Sequence, residues 1–456
     1  MYLAPAQHES TDFPRLETAP DSMEVYVRAH DAGGTTYLTW QWHDDPDGES
    51  IADHAYIIDQ EDWAQPGTSL DSALITGGAD GVAAALNAGG FSDKDGEHAL
   101  ATELAKVVLP VEFWEQLQRA VDAERAVRMR LTPSQRLAPV PWELLVSPVS
   151  GERLLRMVSI VYEAPYTVHW SRARQPESFQ PDRADKPLYT IDVAVKGTKE
   201  DVARPVLNDQ GRARLALDVG IDNEHRPVMS RGDLSTALKA QPTRWLYVGH
   251  VSSSSEVGLA AIHLSDIGAV DPFDKDGAKR SWSGIADLID SHRPLTARDL
   301  HLGTTTPRLH EQADTHQLPA ALETSGADIW PMPSRVAFVA CASVADHASS
   351  EIFGLATAAL ASGAEWVIGT RWVLPTDHAL HQLAAVPDDE LPLVDLVLAV
   401  DQHQQTADPG LAIREWQLDR LDAWERDGQM KDSPILWASL MTYWMPSRPE
   451  LKNPEG

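Results

Sequence analysis

One cysteine in 456 residues, Cys341, rules out an internal disulfide and any multi-cysteine metal centre. Basic residues are scarce as well: 38 Lys and Arg stand against 68 Asp and Glu, a formal net charge of -30 at pH 7. Nucleic acid or an anionic bilayer would be repelled over such a surface, so neither is expected as a direct partner. No stretch approaches the roughly 18 consecutive apolar residues a membrane helix needs. The first ten residues carry no basic n-region and no apolar h-region, and the expected location is the cytoplasm, where a lone thiol stays reduced. Gly77-Gly78 and Gly89-Gly90 lack the spacing and the lysine of a phosphate-binding loop, and no repeat appears at solenoid periods. No cofactor and no metal are expected.

What is present is ordinary for a globular protein, with 43% hydrophobic and 23% charged residues, and the length predicts two or three units. Residues 1–96 form a small strand-rich region, a candidate docking or sensing unit. Its clearest feature is a hairpin of Met23–His30 and Thr35–His43 around Asp31-Ala-Gly-Gly34. Glycines and alanines interrupt Ser69–Gly96, where one helix with loops is expected. Residues 97–171 form a second unit, with helices over 97–107 and 111–121 and a strand over 125–131. Within it, Trp142 is expected in the core and Glu143 as a capping or pairing carboxylate. Residues 172–186, nearly without apolar side chains, read as a linker. Residues 187–445 alternate strand and helix, and 446–456 form a tail. This alternation predicts an α/β fold with a mostly parallel central sheet.

Two strands of that sheet carry chemistry. The apolar run 335–340 ends in Cys341, and the run 243–248 ends in Gly249 and His250. If these strands are parallel neighbours, a thiol and an imidazole emerge at one edge, the minimum for cysteine nucleophilic catalysis. A helix over 351–362, with Ile352, Leu355, Ala356, Ala359 and Leu360 on one face, begins close to the thiol, and its N-terminal dipole would lower the thiol pKa. Between the strands, residues 265–333 form a long polar insertion of the kind that serves as a lid or recognition segment. His263, His292, His301, His310 and His316 lie in or beside it. They lack metal-ligand spacing and are expected to be solvated.

Five stretches in this order resemble the CHAT family of caspase-like cysteine peptidases, which groups with caspases, separases and gingipains. They are Val140-Pro-Trp-Glu-Leu-Leu145, Leu246-Tyr-Val-Gly-His250, Arg293-Pro-Leu-Thr-Ala-Arg-Asp-Leu300, Val339-Ala-Cys-Ala-Ser343 with its helix and Gly363–Trp372, and Ser433-Pro-Ile-Leu-Trp-Ala438. The resemblance spans roughly residues 97–445. It implies a caspase-like sandwich over 187–445, preceded by a degenerate N-terminal half over 97–171. It also implies a Cys341–His250 dyad that hydrolyses peptide bonds of a protein substrate, with backbone amides of Cys341 and Val251 stabilising the oxyanion. Such an enzyme implies an activating or regulatory protein partner, and bacterial defence or cell death as its setting.

Two features depart from the family pattern. Val251 stands where relatives carry Gly, and 91 residues separate His250 from Cys341 against about 50 in caspases, an excess assigned to the insertion. Arg371, Trp372 and Asp377, after the strand that follows the Cys-bearing helix, are the specificity-pocket candidates, although Arg371 and Asp377 could equally pair with each other. The alternatives to a peptidase are a catalytically inactive interaction module on the same fold and a thiol enzyme acting on another acyl group.

Overall fold

Period-two patterning in the first strands builds the expected hairpin. β1 (Ser22–Ala32) and β2 (Thr35–His43) pair antiparallel, and Gly33 and Gly34 turn the chain at φ 60° and 84°. The structure is a computed structural model that describes residues 22–43, 54–76, 78–165, 168–169, 172–177, 180, 184–199, 201–222, 225–252, 260–267, 289–303, 325–341 and 352–447. The further strands are β3 (His54–Ile58), β4 (Ala126–Thr132), β5 (Ser159–Tyr162), β6 (Pro187–Ile191) and β7 (Arg244–Ser252). They continue with β8 (Ala261–Ile262), β9 (Leu295–Thr296), β10 (Arg335–Cys341), β11 (Trp366–Thr370) and β12 (Leu440–Trp444).

Among the described residues all twelve strands join one sheet, in the order β3-β2-β1-β4-β5-β12-β11-β10-β7-β8-β9, with β6 also paired to β7. The fold is mixed α/β with a largely parallel centre: β1–β4, β4–β5, β5–β12, β11–β10, β10–β7 and β6–β7 are parallel. β12 runs antiparallel to β11 and parallel to β5, so the C-terminal strand joins the two halves of the sheet. The N-terminal hairpin is not set apart from this sheet, because β1 aligns along β4 from Ser22–Ala126 to Arg28–Thr132.

The central strands read as unbroken apolar runs because both of their faces are covered. Trp245 to Val248 of β7 and Val336 to Val339 of β10 are at most 1% exposed. Fully burying a side chain of this size is worth about 1.5–3 kcal/mol, which sets these strands as the core.

Helices are more extensive than expected over 69–96. Three are present nearby: Gln60–Ala73, Gly78–Ala88 and Lys94–Val108, the last capped by Asp93, whose carboxylate accepts from the Gly96 amide at 2.8 Å. Burial of Leu70, Ala73, Ala85 and Leu86 outweighs the low intrinsic helicity there, and Gly89 and Gly90 fall in the connection between helices. A Cβ on Gly89 would lie 2.6 Å from the Ala85 carbonyl oxygen, so this turn needs glycine for space. The stretch read as a linker also begins inside the core. Arg172 is 8% exposed, with Nε donating to the Leu360 carbonyl at 3.0 Å and its terminal nitrogens to those of Met445 and Pro446, each at 3.1 Å. A guanidinium with five donors can satisfy carbonyls at the ends of several elements at once, which composition does not reveal.

Candidate active site

β7 and β10 run side by side and parallel, from Arg244 opposite Arg335 to His250 opposite Cys341. Neighbouring strands lie about 4.8 Å apart, so the backbones of the histidine and the cysteine are adjacent. Both residues stand at the carboxyl end of the parallel strands, where open α/β sheets meet their ligands. The helix that follows the cysteine covers Ile352–Ala361.

His250 is 5% exposed, and its Nε2 sits 2.7 Å from the Arg204 carbonyl oxygen. A carbonyl only accepts, so Nε2 carries the proton, and in the neutral ring the lone pair belongs to Nδ1. That tautomer suits a general base. The backbone of His250 is held as well: the Tyr247 hydroxyl donates to the His250 carbonyl at 2.7 Å and accepts from the His263 amide at 3.1 Å. Gly249 makes room for this hydroxyl, since a Cβ there would lie 2.7 Å from it. Val251 continues β7 opposite Ile262 of β8 and is not among the residues with positive φ, so its β-branched side chain sits in backbone that suits it.

The three specificity candidates are all turned into internal contacts. Arg371 is 1% exposed; one terminal nitrogen donates to both Glu143 oxygens at 2.6 and 2.7 Å and to the Leu440 carbonyl at 3.1 Å, and the other donates to the Val140 carbonyl. Glu143 thus pairs, as its position next to buried Trp142 suggested. Burial pushes the Glu143 carboxyl above the usual range, against the pull of Arg371. Trp372 donates to the Ile435 carbonyl at 2.8 Å and stacks on Phe91. Asp377 does not meet Arg371 but accepts from the Leu393 amide at 2.8 Å, at the start of the helix Pro392–His403. The Pro-Trp-Glu turn meets Arg371 where β12 joins the two halves of the sheet, and the same guanidinium holds Leu440 of that strand.

The histidines beside the insertion need a correction. His263 and His292 were expected in solvent, but they are 1% and 0% exposed, stacked at 5.2 Å between centroids, and linked from His263 Nδ1 to His292 Nε2 at 3.0 Å. The apolar Ala260-Ala-Ile-His-Leu264 run was the available signal, because a histidine inside it must be buried with its neighbours. His301 is exposed as expected, and His310 and His316 lie outside the described residues. Among the described residues no group of three or more His, Cys, Asp or Glu could hold a metal ion, and no helix is long and apolar enough to cross a membrane.

No protein-family model matches this chain, and no curated protein matches it. Among solved structures it is similar to a chain of the Saccharomyces cerevisiae separase-securin complex, at 8% identity and a TM-score of 0.43, covering 93% of this chain and 30% of that one. The chain therefore spans less than a third of the length of that protein, and a likeness this distant carries no functional argument.

Proposed function

We propose that this chain is a cysteine endopeptidase of the caspase-like CHAT kind, with Cys341 as nucleophile and His250 as acid and base. One observation carries the reading: His250 and Cys341 are register partners at the carboxyl ends of adjacent parallel strands, with the His250 proton set on Nε2 by the Arg204 carbonyl. In the proposed reaction His250 takes the thiol proton and the sulfur attacks the peptide carbonyl. The backbone amides of Cys341 and Val251 receive the oxyanion, His250 returns the proton to the leaving amine, and water then hydrolyses the thioester. The substrate is a protein, and activity is restrained until a regulatory partner or signal acts, in the defence or cell-death setting that the resemblance implies.

A second reading, a non-catalytic interaction module, is favoured by the burial of Arg371, Trp372 and Asp377, which presents none of them to a substrate side chain. Alkylation of Cys341 by iodoacetamide across about pH 5 to 9, in the wild type and in His250→Ala, separates the two. A thiol that reacts well below its ordinary pKa of about 8.5, and slows without His250, supports the peptidase. A thiol with the same ordinary profile in both proteins supports the module.

A further inference from the structure

β8 continues the sheet beyond β7, with Ile262 opposite Val251 and Ala261 opposite Ser252. Extending that antiparallel register by one residue sets His263 beside His250. At this level of the sheet, three adjacent strands therefore bring Cys341, His250 and His263 into one row. The row has a fixed proton arrangement. His292 Nδ1 lies 3.0 Å from the Asp266 carbonyl oxygen, which only accepts, so His292 carries its proton on Nδ1. Its Nε2 must then accept from His263 Nδ1. His263 is left with a lone pair on Nε2, a buried atom that has no hydrogen-bond partner among the described residues. A buried acceptor left in that state is costly to keep unless the site uses it or water reaches it.

The surroundings keep the pair neutral. His263 faces His292, His250 and the Tyr247 hydroxyl, and burial, then His292, then His250 push its pKa well below the ordinary imidazole value. His292 faces Asp266, the Lys196 backbone and Arg231, whose guanidinium lies 3.7 Å from Asp299; burial lowers its pKa too. The backbone of His292 is itself held in place, because Ile267 and Ile289 both form β-bridges to it.

We propose that His263 is a positioning residue for His250: its ring, hydrogen-bonded to His292, holds the end of β8, and its backbone amide on the Tyr247 hydroxyl carries that hold to the His250 carbonyl, with an uncharged ring beside the imidazole. This rests on the dyad reading above. If His263 gained a proton, its charge would oppose the imidazolium of His250 that accompanies the reactive thiolate, and the dyad would lose reactivity on the acid side.

The test is iodoacetamide labelling of the full chain from about pH 4.5 to 9, with thermal melts on every protein. Wild type, His250→Ala, His263→Phe, His292→Phe and His263→Asn are compared. Both Phe variants should label about tenfold more slowly near neutral pH, because a displaced acid-base group keeps only part of the roughly 10²–10⁴-fold it supplies when positioned. His263→Asn should recover most of the rate, because its amide replaces Nδ1 as donor to His292. Its acid-side inflection should lie below that of wild type, since asparagine cannot gain a charge. A merely structural role would rescue the rate and leave the inflection in place, and that result overturns the inference. So do Phe variants that label like wild type at every pH. If the Phe variants do not fold, the pH profile of the Asn variant decides alone. A wild-type thiol indifferent to His250 would instead remove the dyad reading, and this inference with it.

Discussion

Replacing Asp377 with asparagine should stabilise the protein at neutral pH and do nothing in acid. Asp377 is 3% exposed, and burial raises its pKa from 3.8 to about 6, despite the Leu393 and Val394 amides and the nearby His381. A carboxyl whose folded pKa is raised adds stability below its unfolded pKa and loses it as pH climbs through the folded one. The shift of about 2 units, at about 1.4 kcal/mol each, gives a cost of about 3 kcal/mol once the group is ionised in the fold. The asparagine side chain would keep an oxygen for the Leu393 amide without a charge to desolvate. Urea denaturation of both proteins at a series of pH values between about 4 and 8 reads the difference directly. The asparagine protein should match wild type near pH 4 and gain steadily to about 1–3 kcal/mol by pH 8. A difference that is flat with pH, or an asparagine protein that is less stable at pH 8, would refute the reasoning, because it would mean that the carboxylate is welcome at the helix start.

Glu143→Ala should cost about 3–5 kcal/mol by urea denaturation, since it strands the buried Arg371 guanidinium, whereas Glu143→Leu combined with Arg371→Met should cost less than that single change. Equal costs for the two proteins would show that the pair is not what holds this turn. Gly249→Ala should slow Cys341 labelling severalfold by driving the Tyr247 hydroxyl off the His250 carbonyl. Adding Tyr247→Phe should restore the melting temperature lost to the clash without restoring the hydrogen bond; if labelling also returns to wild-type rate, the hydroxyl has no hold on His250.

Much of the architecture was legible in local patterns. The hairpin of β1 and β2, the strands that carry His250 and Cys341, and the helix Ile352–Ala361 all follow from apolar runs and glycine punctuation that a few neighbouring residues define. Other elements were hidden for physical reasons. The helix Asp209–Val219, begun by an Asn208 cap and ended by Gly220 at φ 74°, has only a narrow buried face, Gly211, Leu215 and Ala216, so its period is faint in the sequence. The helices across 60–88 owe their existence to tertiary burial rather than to intrinsic preference.

By itself, the sequence determined which residues must be covered: the apolar cores of β7 and β10, the lone thiol after one of them and the imidazole after the other. Hydrophobic patterning is local, so it survives translation into a one-dimensional text. Only the tertiary structure decided the partners. That His250 lies opposite Cys341, that Glu143 meets Arg371 across 228 positions of chain, and that His263 and His292 stack in the interior all depend on strand order and register. Those contacts form between segments far apart in sequence, where hydrogen-bond geometry and the exclusion of water choose one partner among many of the same chemical type.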